Sequence, residues 1–205
     1  FMFDSLIVQF VVLWAVIDPI GSIPVYLAKT IGLSVEDRRK IALKAVLISA
    51  GILIFFLLLG QWLLESMQIP LTAFQIAGGL VLLLFALTMI FGEGKPQQEM
   101  KMFTNFNELA VYPLAVPSIA SPGAMMAVVL LTDNHRFNLL EQATTTLIML
   151  LVLLITYLLL LAANHIQRVI GSTGAAVISR VMGLILSAVA VNNILVGIKD
   201  FFTIS

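Results

Sequence analysis

The sequence predicts an all-α integral membrane protein with six transmembrane helices, and three observations carry that expectation. Hydrophobic residues make up 60% of the 205 positions and charged residues only 11%, with a mean hydropathy of +1.09. A soluble domain carries about 25% charged residues, so the charge present here cannot coat a soluble fold, whereas a bilayer accepts an apolar surface. Charges also divide the chain into uncharged runs of about the 20 residues that a span needs. Finally, the basic residues concentrate in every other connection between those runs, as in a multi-pass protein.

The first run covers 5–17 and continues past Asp18 to 28. The others are 45–64, 66–92, 109–132, 142–164 and 181–198. Between the second and third lies only Glu65-Ser66-Met67-Gln68-Ile69-Pro70, a tight turn at one surface. The wettest connections are Lys29–Lys44 and Gly92–Glu108. In the former, Ser34 is the expected cap of a solvated helix entry, Glu36-Asp37-Arg38-Arg39-Lys40. The latter holds Gly92, Gly94, Pro96, Gln97 and Gln98 and separates two halves of a single transmembrane domain, 1–94 and 104–205. Of the 11 Lys and Arg, all but Arg136 and Lys199 fall in the first, third and fifth connections. The positive-inside rule then places those connections in the cytoplasm and both termini outside, in the cytoplasmic (inner) membrane. Trp62 sits at the outer interface, whereas Trp14 lies deep in the first span. No signal peptide is expected, because residues 5–17 have neither a cationic start nor a small-residue cleavage site and run on into further apolar sequence.

Several function classes fall away. There is no Cys, so disulfides and thiolate chemistry are excluded. The two His, His135 and His165, lie near the ends of apolar runs, and neither a metal site nor a cofactor is expected. The formal net charge is zero, which gives no signal for nucleic acid. A phosphate-binding loop is absent. Aspartyl intramembrane chemistry needs two carboxylates and the spans offer one, so an enzyme is not expected.

Three spans per half give the second half the opposite orientation, the geometry of an inverted repeat. Gly79-Leu80, Leu82 and Ala86 in the third span echo Gly183-Leu184, Leu186 and Ala190 in the sixth, at an offset of 104. Asp18-Pro19 in the first span echoes Ser121-Pro122 in the fourth, at an offset of 103. The latter pair is the more telling, because these residues are rare in spans.

Asp and Ser are preferred helix caps and Pro is favoured just after a cap. Asp18-Pro19-Ile20-Gly21 and Ser121-Pro122-Gly123 are therefore helix starts in the middle of apolar runs, where Pro would cost a continuous helix about 3 kcal/mol. Pro24, Pro113 and Pro117 add further interruptions. Spans one and four are expected to be broken, each restarting at mid-membrane. Unpaired backbone groups cannot face lipid, so the breaks must be buried or line a wet cavity. A restarting helix offers free N–H groups and about +0.5 of an elementary charge, which suits a carboxylate. Asp18 is the only ionisable residue deep in a span. An Asp there costs roughly 3 kcal/mol on insertion scales, so either it serves only to cap its own helix or it also meets an ammonium, a cation or a proton.

Gln75, Asn192 and Asn193 either line a pathway or bond between helices. Gly78, Gly79 and Gly183 are expected to allow close helix packing. The expected substrate site comprises Asp18, Pro19, Gly21 and Ser22 at the first break, Ser121, Pro122, Gly123 and Ala124 at the second, and Gln75, Asn192 and Asn193.

Asp18-Pro19-Ile20-Gly21-Ser22-Ile23-Pro24, Gln75-Ile76-Ala77-Gly78-Gly79-Leu80, Met89-Ile90-Phe91, Tyr112-Pro113-Leu114-Ala115-Val116-Pro117 with Ser121-Pro122-Gly123, and Arg180-Val181-Met182-Gly183-Leu184-Ile185-Leu186 together resemble the MarC/SnatA family of bacterial and archaeal membrane proteins. At the first break the family pattern is Asn or Asp, Pro, a branched aliphatic and Gly. Before the second Pro the family usually has Gly, where this chain has Ser121. The resemblance implies two inverted three-helix repeats, transport of small neutral amino acids such as glycine and alanine, and distant kinship to LysE-type exporters. Transport would be driven by, or exchange with, H⁺ or Na⁺. The competing readings are a cation- or proton-linked transporter or channel using Asp18 as its ion site, and a structural subunit.

Overall fold

The computed structural model describes residues 2–30, 32–91, 110–133 and 137–203. Their regular structure is helical, with no strand among them. In chain order the helices are α1 (Met2–Ile17), α2 (Ser22–Lys29), α3 (Val35–Ser66), α4 (Leu71–Phe91), α5 (Ala110–Ile119), α6 (Pro122–Leu131), α7 (Leu139–Leu161) and α8 (Ala163–Thr203). The Gly92–Glu108 connection lies outside the described residues.

Five segments are long and apolar enough to cross a membrane: Leu6–Leu27, Val35–Ser66, Thr72–Phe91, Leu139–Leu161 and Thr173–Thr203. The uncharged run 109–132 is not among them, because it is divided between α5 and α6, of ten residues each. The boundaries also depart from the uncharged runs. The second crossing begins at Val35, since the charged entry winds into the same 32-residue helix as the apolar run. Ser34 caps it as expected, its Oγ accepting the Asp37 N–H at 3.1 Å. Between α7 and α8 only Ala162 is non-helical, and the bend falls later, at Gly171, where φ is +68°. Such a φ is open to glycine without strain.

The packing follows the solvent. Leu58, Leu84, Leu147, Leu154 and Leu195 point outward along their helices, whereas buried positions hold Ala, Ser, Thr and Gln among the larger apolar residues. Leu6–Leu27 is 61% buried, against 22–33% for the other four segments, so the broken segment is the centre of the molecule. Helix α1 packs on α7 and α6, and α5 packs on α3.

Helices α4 and α8 form the most extensive pair and run antiparallel. Gly79 lies against α8: a Cβ there would sit 2.9 Å from the Ala190 carbonyl oxygen. Gly183 lies against α4, where a Cβ would be 3.0 Å from the Ala86 carbonyl oxygen. Close backbone approach of this kind is how helices associate where lipid gives no hydrophobic drive. Adding a methyl at Gly79 or Gly183 should therefore cost about 1–3 kcal/mol. Gly79→Ala and Gly183→Ala should lower the thermal midpoint of the purified protein in detergent. Gly51→Ala, with nothing within 4 Å of its Cβ position, should leave the midpoint unchanged or raise it; equal losses at all three positions would contradict the pairing.

Candidate functional site: two capped breaks and an adjoining cavity

The helical ladder of α1 runs into Asp18, whose N–H donates to the Trp14 carbonyl at 2.9 Å. There it stops. Asp18 takes φ +48°, a left-handed conformation that Asp tolerates better than most residues, and Pro19 has no N–H to continue the ladder. The chain turns through 18–21 and α2 begins at Ser22. The freed groups are satisfied locally. Asp18 Oδ1 accepts the Gly21 N–H at 3.0 Å, and the Asp18 carbonyl accepts the Ser22 N–H and Oγ–H, both at 3.2 Å. A Cβ on Gly21 would overlap the Asp18 carboxylate. This turn needs glycine so that the carboxylate can fold back onto it.

The second break is built to the same plan. Helix α5 winds with the wide π-helical turn, and Ala120 N–H donates to the Ala115 carbonyl, five residues back, at 2.8 Å. Such winding is rare and favours functional sites. Ser121 is extended, at φ −70° and ψ 157°, and Pro122 opens α6. Ser121 Oγ accepts the Ala124 N–H at 3.0 Å, and the Ser121 carbonyl accepts the Met125 N–H at 3.0 Å. Both breaks are thus capped by a side chain reaching three residues forward and a carbonyl reaching four.

The two breaks touch. Ser121 Oγ donates to the Val16 carbonyl in the last turn of α1 at 2.9 Å. Ser22 Oγ and Ser118 Oγ share a hydrogen bond, also of 2.9 Å. Ser49 of α3 donates to the Ala115 carbonyl at 3.3 Å, tying α5 into the same seam. From the other side Ser179 of α8 donates to Asp18 Oδ2 at 3.1 Å. Asp18, Ser22, Ser118, Ser121 and Ser179 are all buried. The centre of this apolar protein is a compact polar seam in which carboxylate, hydroxyl and backbone groups satisfy one another.

Beside the seam lies a cavity of about 430 Å³, within the usual ~300–1,000 Å³ of small-molecule sites. Gln75, Asp133, Asn192 and Asn193 supply its polar lining, and Val12, Leu82 and Ala127 are among its apolar residues. Val12 is one turn before Val16 and Ala127 is one turn after Gly123. Leu82 would stand 3.3 Å from a Cβ on Gly123. The cavity therefore ends one helical turn from the breaks, with Leu82 in between.

The eleven residues expected to form one site divide in two. Asp18, Pro19, Gly21, Ser22, Ser121, Gly123 and Ala124 are buried at the breaks, while the Pro122 ring is exposed on the outer side. Gln75, Asn192 and Asn193 line the cavity. Three participants escaped sequence reasoning: Ser118, Ser179 and Asp133. Ser118 stands three residues before Ser121, a spacing that places two hydroxyls on one helix face and could have been noticed. Ser179, next to Arg180, reads as an ordinary helix end, and Asp133 as a loop residue.

Three comparisons set this site in context. A family model described as MarC family integral membrane protein matches residues 3–202. A UPF0056 membrane protein of Methanocaldococcus jannaschii is 35% identical over 94% of this chain and 95% of its own length. The UPF0056 membrane protein YvbG of Bacillus subtilis is 32% identical over 99% of this chain and 98% of its own. For YhcE of Escherichia coli the figures are 35%, 94% and 91%. No solved structure matches the chain. Apolar crossings, buried breaks and relatives in both bacteria and archaea agree: the chain is a multi-pass integral membrane protein and belongs to the MarC family.

Proposed function

We propose that the protein is a secondary transporter of small neutral amino acids of the glycine and alanine type, binding its substrate between the two breaks. The observation that carries this reading is the meeting of two capped helix starts, Asp18–Gly21 and Ser121–Ala124, in the buried centre of a membrane protein. Substrate would enter by replacing the bonds that now close the seam. Its ammonium would take the Val16 carbonyl and the free lone pairs of Asp18. That releases the Ser121 hydroxyl, which with Ser22 and Ser118 can turn its O–H toward the substrate carboxylate near the start of α6. The seam is walled by Ala15, Ala120 and Ala124, all fully buried, so the space that opens suits a small side chain.

The same reading gives six spans in two inverted repeats, with helices 1 and 4 discontinuous. Laid end to end, the two ten-residue pieces α5 and α6 approach the ~30 Å of a bilayer core. Two further features support the repeat. The caps correspond at one offset, Asp18 with Ser121 and Gly21 with Ala124, each pair 103 residues apart. The α4–α8 contact exchanges with itself at an offset of 104, Gly79 against Ala190 becoming Gly183 against Ala86. At that offset Gln75 corresponds to Ser179. The protein would lie in the cytoplasmic membrane with both termini outside, driven by or exchanging with H⁺ or Na⁺. A cation- or proton-linked function at Asp18 is the second reading, supported by a buried acid whose two side-chain partners, Gly21 N–H and Ser179 O–H, are both neutral.

A reporter fused after Ser205 should be extracytoplasmic and one inserted at 95–101 cytoplasmic. A cytoplasmic C-terminus would contradict the six-span arrangement. Liposomes containing the protein should accumulate labelled glycine but not glycinamide, whose blocked carboxylate offers nothing to the hydroxyls and helix start. Uptake of labelled metal ions without glycine would favour the second reading. Asp18→Asn keeps a cap that tolerates φ +48° and should fold with a near-normal thermal midpoint. Asp18→Ala loses the cap, costing ~1 kcal/mol, and suffers the left-handed conformation, costing ~1–2 kcal/mol more. Equal midpoints for the two variants would contradict the capping geometry.

A further inference from the structure

The two half-helices that restart at the breaks end differently. Helix α6 ends beside the cavity, where Leu130 and Leu131 contribute to the lining. Helix α2 ends in an interlock with the start of α3. The Tyr26 hydroxyl donates to the Arg38 carbonyl at 3.0 Å, and Arg38 Nε–H donates to the Thr30 carbonyl, also at 3.0 Å. The Thr30 hydroxyl completes the set by donating to the Tyr26 carbonyl at 2.8 Å. Tyr26 is 4% exposed and Thr30 is fully buried, so water has little access to replace these bonds. The offset of 103 that relates the two caps sets Leu27 against Leu130 and Ala28 against Leu131. The interlock therefore stands where a counterpart of the cavity would open at the end of α2. Tyr26 corresponds to Val129, which has no hydroxyl, so its bond belongs to one half only. Helix α2 has just eight residues and joins α1 through the turn 18–21. Residues at the ends of elements are where hinges absorb backbone change, and a short helix on such a turn can swing as a unit.

We propose that Tyr26, Thr30 and Arg38 form a latch that shuts the transport pathway at the α2 end, and that its release swings α2 away from α3 while the cavity beside α6 closes. The proposal rests on the transport reading above, because a pathway that opens at one end at a time needs its closed end held. The structure is then the state in which the α2 end is shut and the α6 end is hollow. The latch sets how rarely the opposite state is visited.

The absence of native cysteine makes every introduced thiol the only one present. Ala42 is fully buried one helical turn after Arg38, so Ala42→Cys reports from behind the latch. Ala45→Cys, equally buried on α3, is a second reporter should the first fold poorly. Labelling by a water-soluble maleimide is read in detergent without substrate, and with the latch intact it should be slow. Tyr26→Phe keeps the ring and removes one hydrogen bond, and labelling should rise about fivefold, the weight of one ordinary bond. Arg38→Met keeps most of the aliphatic stem, removes the bond to Thr30 and should act in the same direction. Ala188 is exposed on the cavity lining, so Ala188→Trp wedges the cavity and keeps it from closing. Asn192→Trp, also exposed on that lining, is the alternative wedge. Because one end opens as the other closes, the wedge should cancel the rise caused by Tyr26→Phe. Unchanged labelling in both latch variants would overturn the proposal. So would a rise that both wedges leave intact, because the interlock would then be a local clasp. Failure of glycine uptake into liposomes with the cancelled rise observed sinks the glycine reading alone, and normal uptake without any rise sinks the latch alone.

Discussion

A backbone group that stops bonding to its own helix inside a bilayer must find another partner within the protein. Everything at the centre of this molecule follows from that requirement. Two helices stop in mid-chain, at Ile17 and Ile119, and two restart, at Ser22 and Pro122. The restarting N–H groups are taken up by Asp18 and Ser121, and the stopping end of α1 gives its Val16 carbonyl to Ser121. The second break thus supplies a partner for the Val16 carbonyl, which the end of α1 leaves open.

The rest of the packing protects this seam. The broken segment Leu6–Leu27 is enclosed by the others and is the most buried of the five apolar crossings. The α4–α8 pair closes one flank, held by glycines that bring backbone within about 3 Å of where a methyl would stand. Helix α8 then delivers the Ser179 hydroxyl to Asp18 from that flank. Close packing and polar satisfaction are therefore one device. The glycines set the distance at which a short side chain such as serine reaches across.

Much of this was legible in the sequence, and for identifiable reasons. Pro after Asp or Ser in the middle of an apolar run has few explanations other than a helix start, and Asp18 and Ser121 are found capping three residues ahead. Ser34 before an acidic first turn was legible on the same grounds. What local chemistry could not supply was the third dimension. Gln75, Asn192 and Asn193 share a polar character with Asp18, which suggested one site, yet the helices carry them to a separate cavity. Ser179 and Asp133 gain their importance only from what the fold sets opposite them. The uncharged-run count began the second span at 45, whereas α3 starts at Val35 with the charged entry that Ser34 caps, because a helix that leaves the bilayer keeps its hydrogen bonds and needs no boundary there.

The central claim is that the two breaks form one closed seam that must open for substrate. Ser22 and Ser118 hold it shut across 2.9 Å between their Oγ atoms, so thiols in their place would face each other, as a disulfide requires. The double variant Ser22→Cys/Ser118→Cys introduces the chain's only two thiols. Under mild oxidation it should cross-link in most molecules, without denaturation, and glycine uptake into liposomes should stop and return on reduction. Failure of the pair to cross-link while the protein is folded, or full transport in the cross-linked state, would contradict the account.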